Sequence, residues 1–165
     1  MKNDARSRGT GLRSVTRALS CLLLTAVAAA VPTPTTAGDV FYGKATALKS
    51  AAVIVVDYGG GQYDVRLAGV DVPREGPIAE RAKDTVSKLV LGKDVRARFE
   101  NRNKEGEMVA RLFTGVPGVD LGLELVKAGL ARRLEGYDYK YGELAAAERE
   151  AREAQRGLWA TAQPK

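Results

Sequence analysis

A short segment, residues 66–73, contains the residue types best suited to chemistry. It reads Arg-Leu-Ala-Gly-Val-Asp-Val-Pro, so a cation, Arg66, precedes a carboxylate, Asp71, by five residues at the end of a hydrophobic strand. A guanidinium can bind two phosphate oxygens at once, and a carboxylate can hold a hard cation that neutralises charge while a phosphodiester is attacked. The spacing indicates a phosphate and metal site. An ion pair at an exposed strand end would use the same two residues.

The composition narrows that chemistry, because the chain has no histidine. This excludes histidine-based catalytic triads, zinc sites with histidine ligands and acid–base catalysis by histidine. A metal site would therefore use carboxylate and carbonyl oxygens. Such ligands favour calcium or magnesium.

Residues 1–37 have the pattern of an export signal. A basic start is followed by an apolar run, residues 21–31, which is shorter than the roughly 20 residues that a membrane-spanning helix needs. Small residues mark two candidate cleavage points, after Ala30 and after Ala37, and we favour Ala37. We therefore expect an exported protein, secreted or periplasmic, that has one domain over residues 38–165 and no membrane contact after cleavage.

Two alternatives to a cleaved signal remain open, lipid attachment at Cys21 and an uncleaved N-terminal anchor. A lipid-attachment cysteine should follow the apolar run, whereas Cys21 precedes it. Pro32 and Pro34 argue against a helix that continues through this region.

The net charge of the expected mature chain is small. The whole chain carries 26 basic and 20 acidic residues, but residues 38–165 retain 21 and 19, a net charge of about +2. Overall charge therefore gives little support to nucleic-acid binding. Such binding would need a local basic patch.

Periodicity along the chain predicts an α+β, β-rich fold. The expected strands are Val40–Leu48, Val53–Tyr58, Gln62–Leu67, Asp94–Phe99 and Met108–Phe113. The expected helices are Ile78–Leu91, a segment from Asp120 to Ala128, and Tyr141–Gln155. Five strands with one helix inserted after the third, then two C-terminal helices, predict a five-stranded barrel of the OB-fold type.

Three glycines, residues 59–61, separate the second and third strands. A phosphate-binding loop would need a following helix and a Gly-Lys-Ser/Thr sequence, and neither is present. The glycines are therefore predicted to form a hairpin turn.

Four segments together resemble the thermonuclease (staphylococcal nuclease-like) family over about residues 40–160. They are Arg66–Pro73, Gly92–Val95, Lys127–Ala131 and Gln155–Trp159. The resemblance implies the OB-fold and a calcium-dependent phosphodiesterase. It also implies that Arg66 binds phosphate and that Asp71 binds calcium.

The chain departs from the family pattern at three positions. The family's general base is a glutamate directly after the proline, where this chain has Arg74 and then Glu75. Arg74 cannot act as a base, and Glu75 could do so only if the loop carried a one-residue insertion. A second calcium-binding aspartate is replaced within residues 50–53, and a second arginine is replaced within residues 104–107, which end in a glutamate.

A group of aromatic and basic residues lies where family members place tyrosines beside the nucleotide. It consists of Arg132, Arg133, Tyr137, Tyr139 and Lys140. Aromatic faces stack bases and cations hold the backbone, so these residues could form a platform for single-stranded DNA or RNA. Core packing would explain the tyrosines equally well. Trp159 is expected to dock the C-terminal helix.

The sequence therefore predicts an exported thermonuclease-like monomer that is catalytically impaired, with weak or absent calcium binding and a retained groove for nucleic acid. One alternative is an active calcium-dependent phosphodiesterase that uses Arg66, Asp71 and Glu75. A protein-interaction domain is a second alternative, since the mature charge is nearly neutral.

Overall fold

The computed structural model of the protein describes residues 34–139 and 142–160. The predicted export signal lies outside these residues except for residues 34–37, and so do Lys140 and Tyr141. Within the described part of the chain, no helix is long and apolar enough to cross a membrane.

Within the described residues, eight strands and three helices follow one another. In order they are β1 (Val40–Ser50), β2 (Val53–Tyr58), β3 (Gly61–Leu67), β4 (Val70–Asp71), α1 (Pro77–Val90), β5 (Asp94–Arg102), β6 (Met108–Thr114), β7 (Val119–Asp120), α2 (Leu121–Lys127), β8 (Arg132–Arg133) and α3 (Glu143–Glu153). A 3₁₀ turn, Gly157–Trp159, follows α3.

Five of these strands form a barrel. Antiparallel pairs link them in the order β3-β2-β1-β5-β6, and a parallel pairing of β3 with β6 closes the ring. Alternate side chains point inward, and the fully buried ones include Ile54, Val56, Val65, Met108 and Leu112. The predicted OB-type barrel is confirmed, with α1 inserted after β3 and β4.

Helix α1 packs on the barrel by one face. Pro77 occupies its first turn, where its missing N–H costs nothing, and Gly92 follows its C-terminus with a φ of 74°. Ala82, Val86 and Val90 are completely buried. The helix lies one residue earlier than predicted because Pro77 itself begins it.

The glycines after β2 form the predicted hairpin turn. Tyr58 pairs with Gly61, and the two residues between them, Gly59 and Gly60, have φ values of 58° and 82°. Positive φ at both central positions is the geometry of a type I′ turn, which matches the twist of the flanking strands. This excludes a phosphate-binding loop here.

Some elements differ from the sequence predictions. The short strands β4, β7 and β8 were not predicted, because two-residue pairings leave no periodic pattern. Strand β5 continues to Arg102 through an irregular pairing between Phe99 and Asn101. The described part of the last helix is shorter than predicted, since Gly142 precedes it in a left-handed conformation.

The C-terminal turn docks against the end of α2 through two glycines. Gly129 and Gly157 both have positive φ, and the amide of Leu158 donates to the carbonyl oxygen of Gly129 at 2.8 Å. A Cβ on Gly129 would overlap the backbone carbonyl of Arg156, and one on Gly157 would overlap that of Gly129. Only glycine fits at these two positions. Packing of the C-terminal turn on α2 therefore explains two of the four family-like segments, Lys127–Ala131 and Gln155–Trp159.

Candidate functional site

A cleft of about 760 Å³ lies where three segments near the barrel meet. These are the β1–β2 turn, the chain after β3, and the β5–β6 turn. The residues that line the cleft are Lys49–Val53, Arg66, Val70–Arg74, Asn103, Glu105 and Glu107. The structure therefore brings the predicted Arg66 and Asp71 to one cleft.

The guanidinium of Arg66 is bound to a carboxylate of the same chain. Arg66 lies on β3, in register with Val53 of β2 and Val109 of β6. Its Nε donates to Oε2 of Glu107 at 2.6 Å, and the two side chains are 37% and 16% exposed. Glu107 thus accepts the hydrogen bond that Nε of Arg66 could otherwise donate to a phosphate oxygen.

Glu107 is held in place by the turn that precedes β6. Nδ2 of Asn103 donates to the same Oε2 at 2.7 Å, while the amide of Glu107 donates to Oδ1 of Asn103 at 2.9 Å. Burial raises the pKa of the Glu107 carboxyl, but the hydrogen bonds from Arg66 and Asn103 outweigh burial and leave that pKa below its ordinary value. The carboxylate is therefore charged and fixed beside Arg66 at neutral pH.

Asp71 is exposed on β4, and its antiparallel partner is Arg132 on β8. Directly opposed residues place their side chains on one face of a strand pair. The guanidinium of Arg132 also lies over the Trp159 ring, 5.5 Å from its centroid. A cation, and not a second carboxylate, is the cross-strand neighbour of Asp71.

The residues around the cleft do not fit calcium. Calcium takes six to eight oxygen ligands and gains affinity from carboxylate charge. The β1–β2 turn contributes the buried Ala51 and Ala52, and Glu107 is engaged with Arg66. Over residues 34–139 and 142–160, no three acidic, histidine or cysteine side chains cluster in a way that could hold a metal ion.

Arg74 and Glu75 occupy different positions relative to the cleft. Both side chains are exposed, but Arg74 lines the cleft and Glu75 is absent from its lining. The chain turns directly afterwards, at Gly76 with a φ of 90°, into α1. The side chain presented to the cleft after Pro73 is therefore a guanidinium.

Tyr137 and Tyr139 lie in a separate cleft of about 430 Å³, which Arg66 does not line. Tyr139 is 6% exposed, lies under the guanidinium of Arg111 at 3.4 Å, and donates its hydroxyl to Asp120 at 3.3 Å. Tyr137 donates to the carboxylate of Glu100, and its ring covers Gly69. Both phenols have a raised pKa, caused first by burial and then by these carboxylates. These contacts are those of packed structural tyrosines.

The remaining basic residues of the predicted platform do not form one surface with Tyr137 and Tyr139. Arg133 donates from Nη1 to the carbonyl of Tyr137 at 2.9 Å and lies 3.9 Å from the carboxylate of Glu148 on α3. Arg132 contacts Trp159, as expected of a tryptophan that docks the C-terminus. Lys140 lies outside the described residues. The structure does not bring Arg133, Tyr137 and Tyr139 to the cleft of Arg66.

The sequence did not reveal the role of Asn103. Residues 101–107 lie between two predicted strands and carried no predicted role for Asn103, yet Asn103 orients the carboxylate that neutralises Arg66. An asparagine four residues before a glutamate, in a turn that ends in Gly-Glu, is the signal that could have indicated a local hydrogen-bonded lock.

Comparison with known proteins gives a consistent result. The family model described as staphylococcal nuclease homologue matches residues 64–161. A protein of Oryza sativa subsp. japonica named probable staphylococcal-like nuclease CAN1 is 31% identical over 104 residues, which cover 62% of this chain and 30% of the relative. The staphylococcal-like nuclease CAN1 of Arabidopsis thaliana is 33% identical over 104 residues, 62% of this chain and 31% of that protein.

A fungal relative aligns over a similar length. The probable endonuclease LCL3 of Verticillium alfalfae is 36% identical over 114 residues, which cover 61% of this chain and 40% of the relative. The alignments thus span 30% to 40% of the length of these three relatives. The family match covers more than half of the chain and includes the cleft residues Arg66, Asp71 and Glu107, so this chain belongs to the staphylococcal nuclease homologue family.

Proposed function

We propose that the chain is an exported thermonuclease-like monomer whose catalytic cleft is impaired and which binds the phosphate backbone of single-stranded DNA or RNA without needing calcium. The ion pair between Arg66 and Glu107 inside the cleft carries this proposal. The family resemblance assigns Arg66 to phosphate. A substrate phosphate must therefore displace a carboxylate that the chain itself supplies.

The charge of the cleft opposes the transition state of phosphodiester cleavage. Negative charge grows on the phosphoryl oxygens, and removing one donor aimed at such charge commonly costs about 10²- to 10³-fold in rate. Glu107 places an anion where the resemblance implies a second arginine. Arg111 does not replace that cation, because its guanidinium is 2.8 Å from the carboxylate of Asp120.

A general base is also lacking at the expected position. Arg74 lines the cleft where the resemblance implies a glutamate, and a guanidinium stays protonated in proteins. Glu107 is a poor substitute, because its lowered pKa makes it a weak acceptor of a proton from water. Both the base and the electrostatic stabilisation are therefore compromised in the same cleft.

Oligonucleotide titration tests whether the cleft still binds phosphate. Arg66→Ala should weaken binding of a labelled oligothymidylate and lower the slope of log affinity against log salt by about 0.7, the value for one phosphate contact on a single strand. Glu107→Gln should strengthen binding several-fold, because it releases Arg66. The double variant should lose that gain.

Glu105→Gln is the matched control, since Glu105 is an exposed cleft residue that also carries one negative charge. If Glu105→Gln and Glu107→Gln strengthen binding equally, general charge accounts for the gain and the release of Arg66 does not. Unchanged affinity in Arg66→Ala would refute phosphate binding in the cleft.

Export is tested by recovering the mature protein. We expect the protein outside the cytoplasm with Gly38 at its N-terminus, since the small residues before position 38 suit a signal peptidase. Recovery of the uncleaved chain in the cytoplasm would contradict export.

A further inference from the structure

The outer face of the barrel carries a second surface that the cleft does not include. Strand register places Tyr42 of β1 opposite Arg96 of β5, and Arg96 opposite Phe113 of β6. Arg98 lies two residues further along β5 on the same face, because side chains on one face of a strand repeat every second residue. We call Tyr42, Arg96, Arg98 and Phe113 the outer patch.

Tyr42 is a large aromatic side chain left open to solvent. It is 69% exposed, and its neighbour on the same face of β1, Val40, is 50% exposed. By contrast, Tyr137 and Tyr139, which line a cleft, are packed against other groups, and Tyr139 is only 6% exposed. Among the described residues, no ring or guanidinium stacks on Tyr42, so its faces are available to a flat ligand.

The two arginines of the outer patch have no acidic partner among residues 34–139 and 142–160. Arg66, Arg111 and Arg152, by contrast, each pair with a carboxylate. The guanidinium of Arg96 instead lies over the Phe113 ring, 4.5 Å from its centroid. This stacking orients one arginine on the outer patch while leaving its positive charge uncompensated.

Two nearby acids are already engaged by other groups, and a third, Asp94, lies two residues before Arg96 on β5 and faces Lys44 across the β1–β5 pair. Asp120, which faces Phe113 across the β6–β7 pair, is bound to Arg111 and caps α2. Glu100, two residues after Arg98, accepts the hydroxyl of Tyr137. The outer patch therefore keeps local positive charge although the mature chain is nearly neutral.

We propose that the outer patch binds single-stranded nucleic acid, with Tyr42 stacking a base and Arg96 and Arg98 contacting successive backbone phosphates. The two arginines are about 7 Å apart along β5 at standard strand rise, and Tyr42 lies one strand away, about 5 Å. A flat ring beside two fixed cations matches the alternation of base and phosphate in a single strand. An acidic protein would use the cations but not the ring.

This binding surface goes beyond the proposed function, because it does not use Arg66 or any other residue of the cleft. The two sites can therefore fail separately. Loss of the outer patch would leave the Arg66 contribution intact, and loss of Arg66 would leave the outer patch intact.

The test is fluorescence anisotropy of the full chain with a labelled oligothymidylate of about a dozen nucleotides, a length within the range that one OB-fold binds. Arg96→Ala with Arg98→Ala should lower the salt slope by about 1.4, or about 0.7 for each lost phosphate contact. Tyr42→Ala should weaken binding about tenfold and leave the slope unchanged, because it removes stacking and no charge. Tyr42→Phe keeps the ring and should bind as the unmodified chain does.

Arg81→Ala is the matched control, because Arg81 is an exposed arginine on α1, away from the outer patch. A second probe with the same backbone but without bases separates stacking from charge: Tyr42→Ala should not weaken its binding. Thermal unfolding of each variant confirms that it is folded, and the single variants Arg96→Gln and Arg98→Gln replace the double variant if that one unfolds.

Three results would overturn the inference. The first is that the outer-patch variants bind as Arg81→Ala does. The second is that polyglutamate of matched charge competes as well as the oligonucleotide, which would indicate an acidic protein partner. The third is equal loss with Tyr42→Ala for the probes with and without bases. If Arg66→Ala alone has no effect while the outer-patch variants do, the cleft proposal fails and this one stands.

Discussion

Nε of Arg66, on β3, lies 2.6 Å from Oε2 of Glu107, which directly precedes β6. The two residues are 41 positions apart in the chain and are brought together by the parallel pairing that closes the barrel. Asn103 donates a second hydrogen bond to the same carboxylate oxygen. The fold itself therefore supplies an anion to the arginine that the family resemblance assigns to phosphate.

The ion pair predicts a pH-dependent contribution to stability. Because the folded pKa of Glu107 lies below its ordinary value of 4.5, the contribution is complete above that ordinary pKa and is lost as the pH falls through the folded pKa. Glu107→Gln should lower the free energy of unfolding by roughly 1 kcal/mol at neutral pH, as expected for a partly exposed pair.

Urea unfolding at several pH values measures the difference in the free energy of unfolding between the native chain and Glu107→Gln. It should be largest near pH 7 and shrink in acid, whereas Glu105→Gln, at an exposed position in the same cleft, should show no such trend. A difference between the native chain and Glu107→Gln that does not change between neutral and acidic pH would contradict the coupling.

Calcium should stabilise the protein little. A ligand raises stability only by RT ln(1 + [L]/Kd), and one exposed carboxylate, Asp71, gives a weak site. We expect a small change in the melting temperature at millimolar calcium, the same in Asp71→Asn. A large increase that disappears in Asp71→Asn would show that other oxygens complete a calcium site.

The barrel was predictable from the sequence because its strands and α1 have clear periodicity and clear end signals. Val53–Tyr58 and Pro77–Val90 are examples, the second marked by proline at its start and glycine at its end. For the cleft, the sequence indicated which residues belong to it, such as Arg66 and Asp71, but not which side chains contact each other. That Glu107 neutralises Arg66 depends on a pairing between distant strands, which no local pattern encodes.

The tyrosine segment illustrates the same limit. A run of tyrosines and cations is compatible with a stacking platform or with packing, and burial decides between them. Tyr139 lies under Arg111 because Asp120, the N-cap of α2, binds both side chains. The exposed ring and unpaired arginines lie instead on β1 and β5, where the sequence shows only ordinary strand alternation.

The glycine contact between α2 and the C-terminal turn should be intolerant of side chains. Gly129→Ala adds a Cβ that overlaps backbone atoms, in a residue with a φ of 67°. Gly136 has a nearly equal φ of 73° but open space around it. Gly136→Ala should cost about 1–2 kcal/mol for its conformation alone, and Gly129→Ala roughly 3 kcal/mol or more.

Chemical denaturation of the two variants measures the difference. Equal destabilisation would mean that the C-terminal turn does not dock on Gly129 as described.

Asp120 should be a major stabilising residue of the C-terminal half. Its carboxylate caps α2 through the amide of Leu123, accepts from Tyr139, and pairs with Arg111, whose side chain is 17% exposed. Asp120→Ala should cost about 3–5 kcal/mol, because it removes the cap of α2 and leaves a half-buried guanidinium unpaired. Glu150→Ala, which breaks the exposed pair with Arg156, should cost under about 1 kcal/mol. Similar decreases in the melting temperatures of Asp120→Ala and Glu150→Ala would contradict this ranking.

The turnover of the full chain on single-stranded DNA and RNA, with calcium and with chelator, tests the proposed impairment of the cleft most directly. We predict less than about a thousandth of the turnover of an ordinary nuclease of this family, because the proposed account removes both an electrostatic donor and the general base. Cleavage that depends on calcium, proceeds at about 1 s⁻¹ or faster, and is abolished in Glu75→Gln would contradict the account, since it would require Glu75 to enter the cleft as a general base.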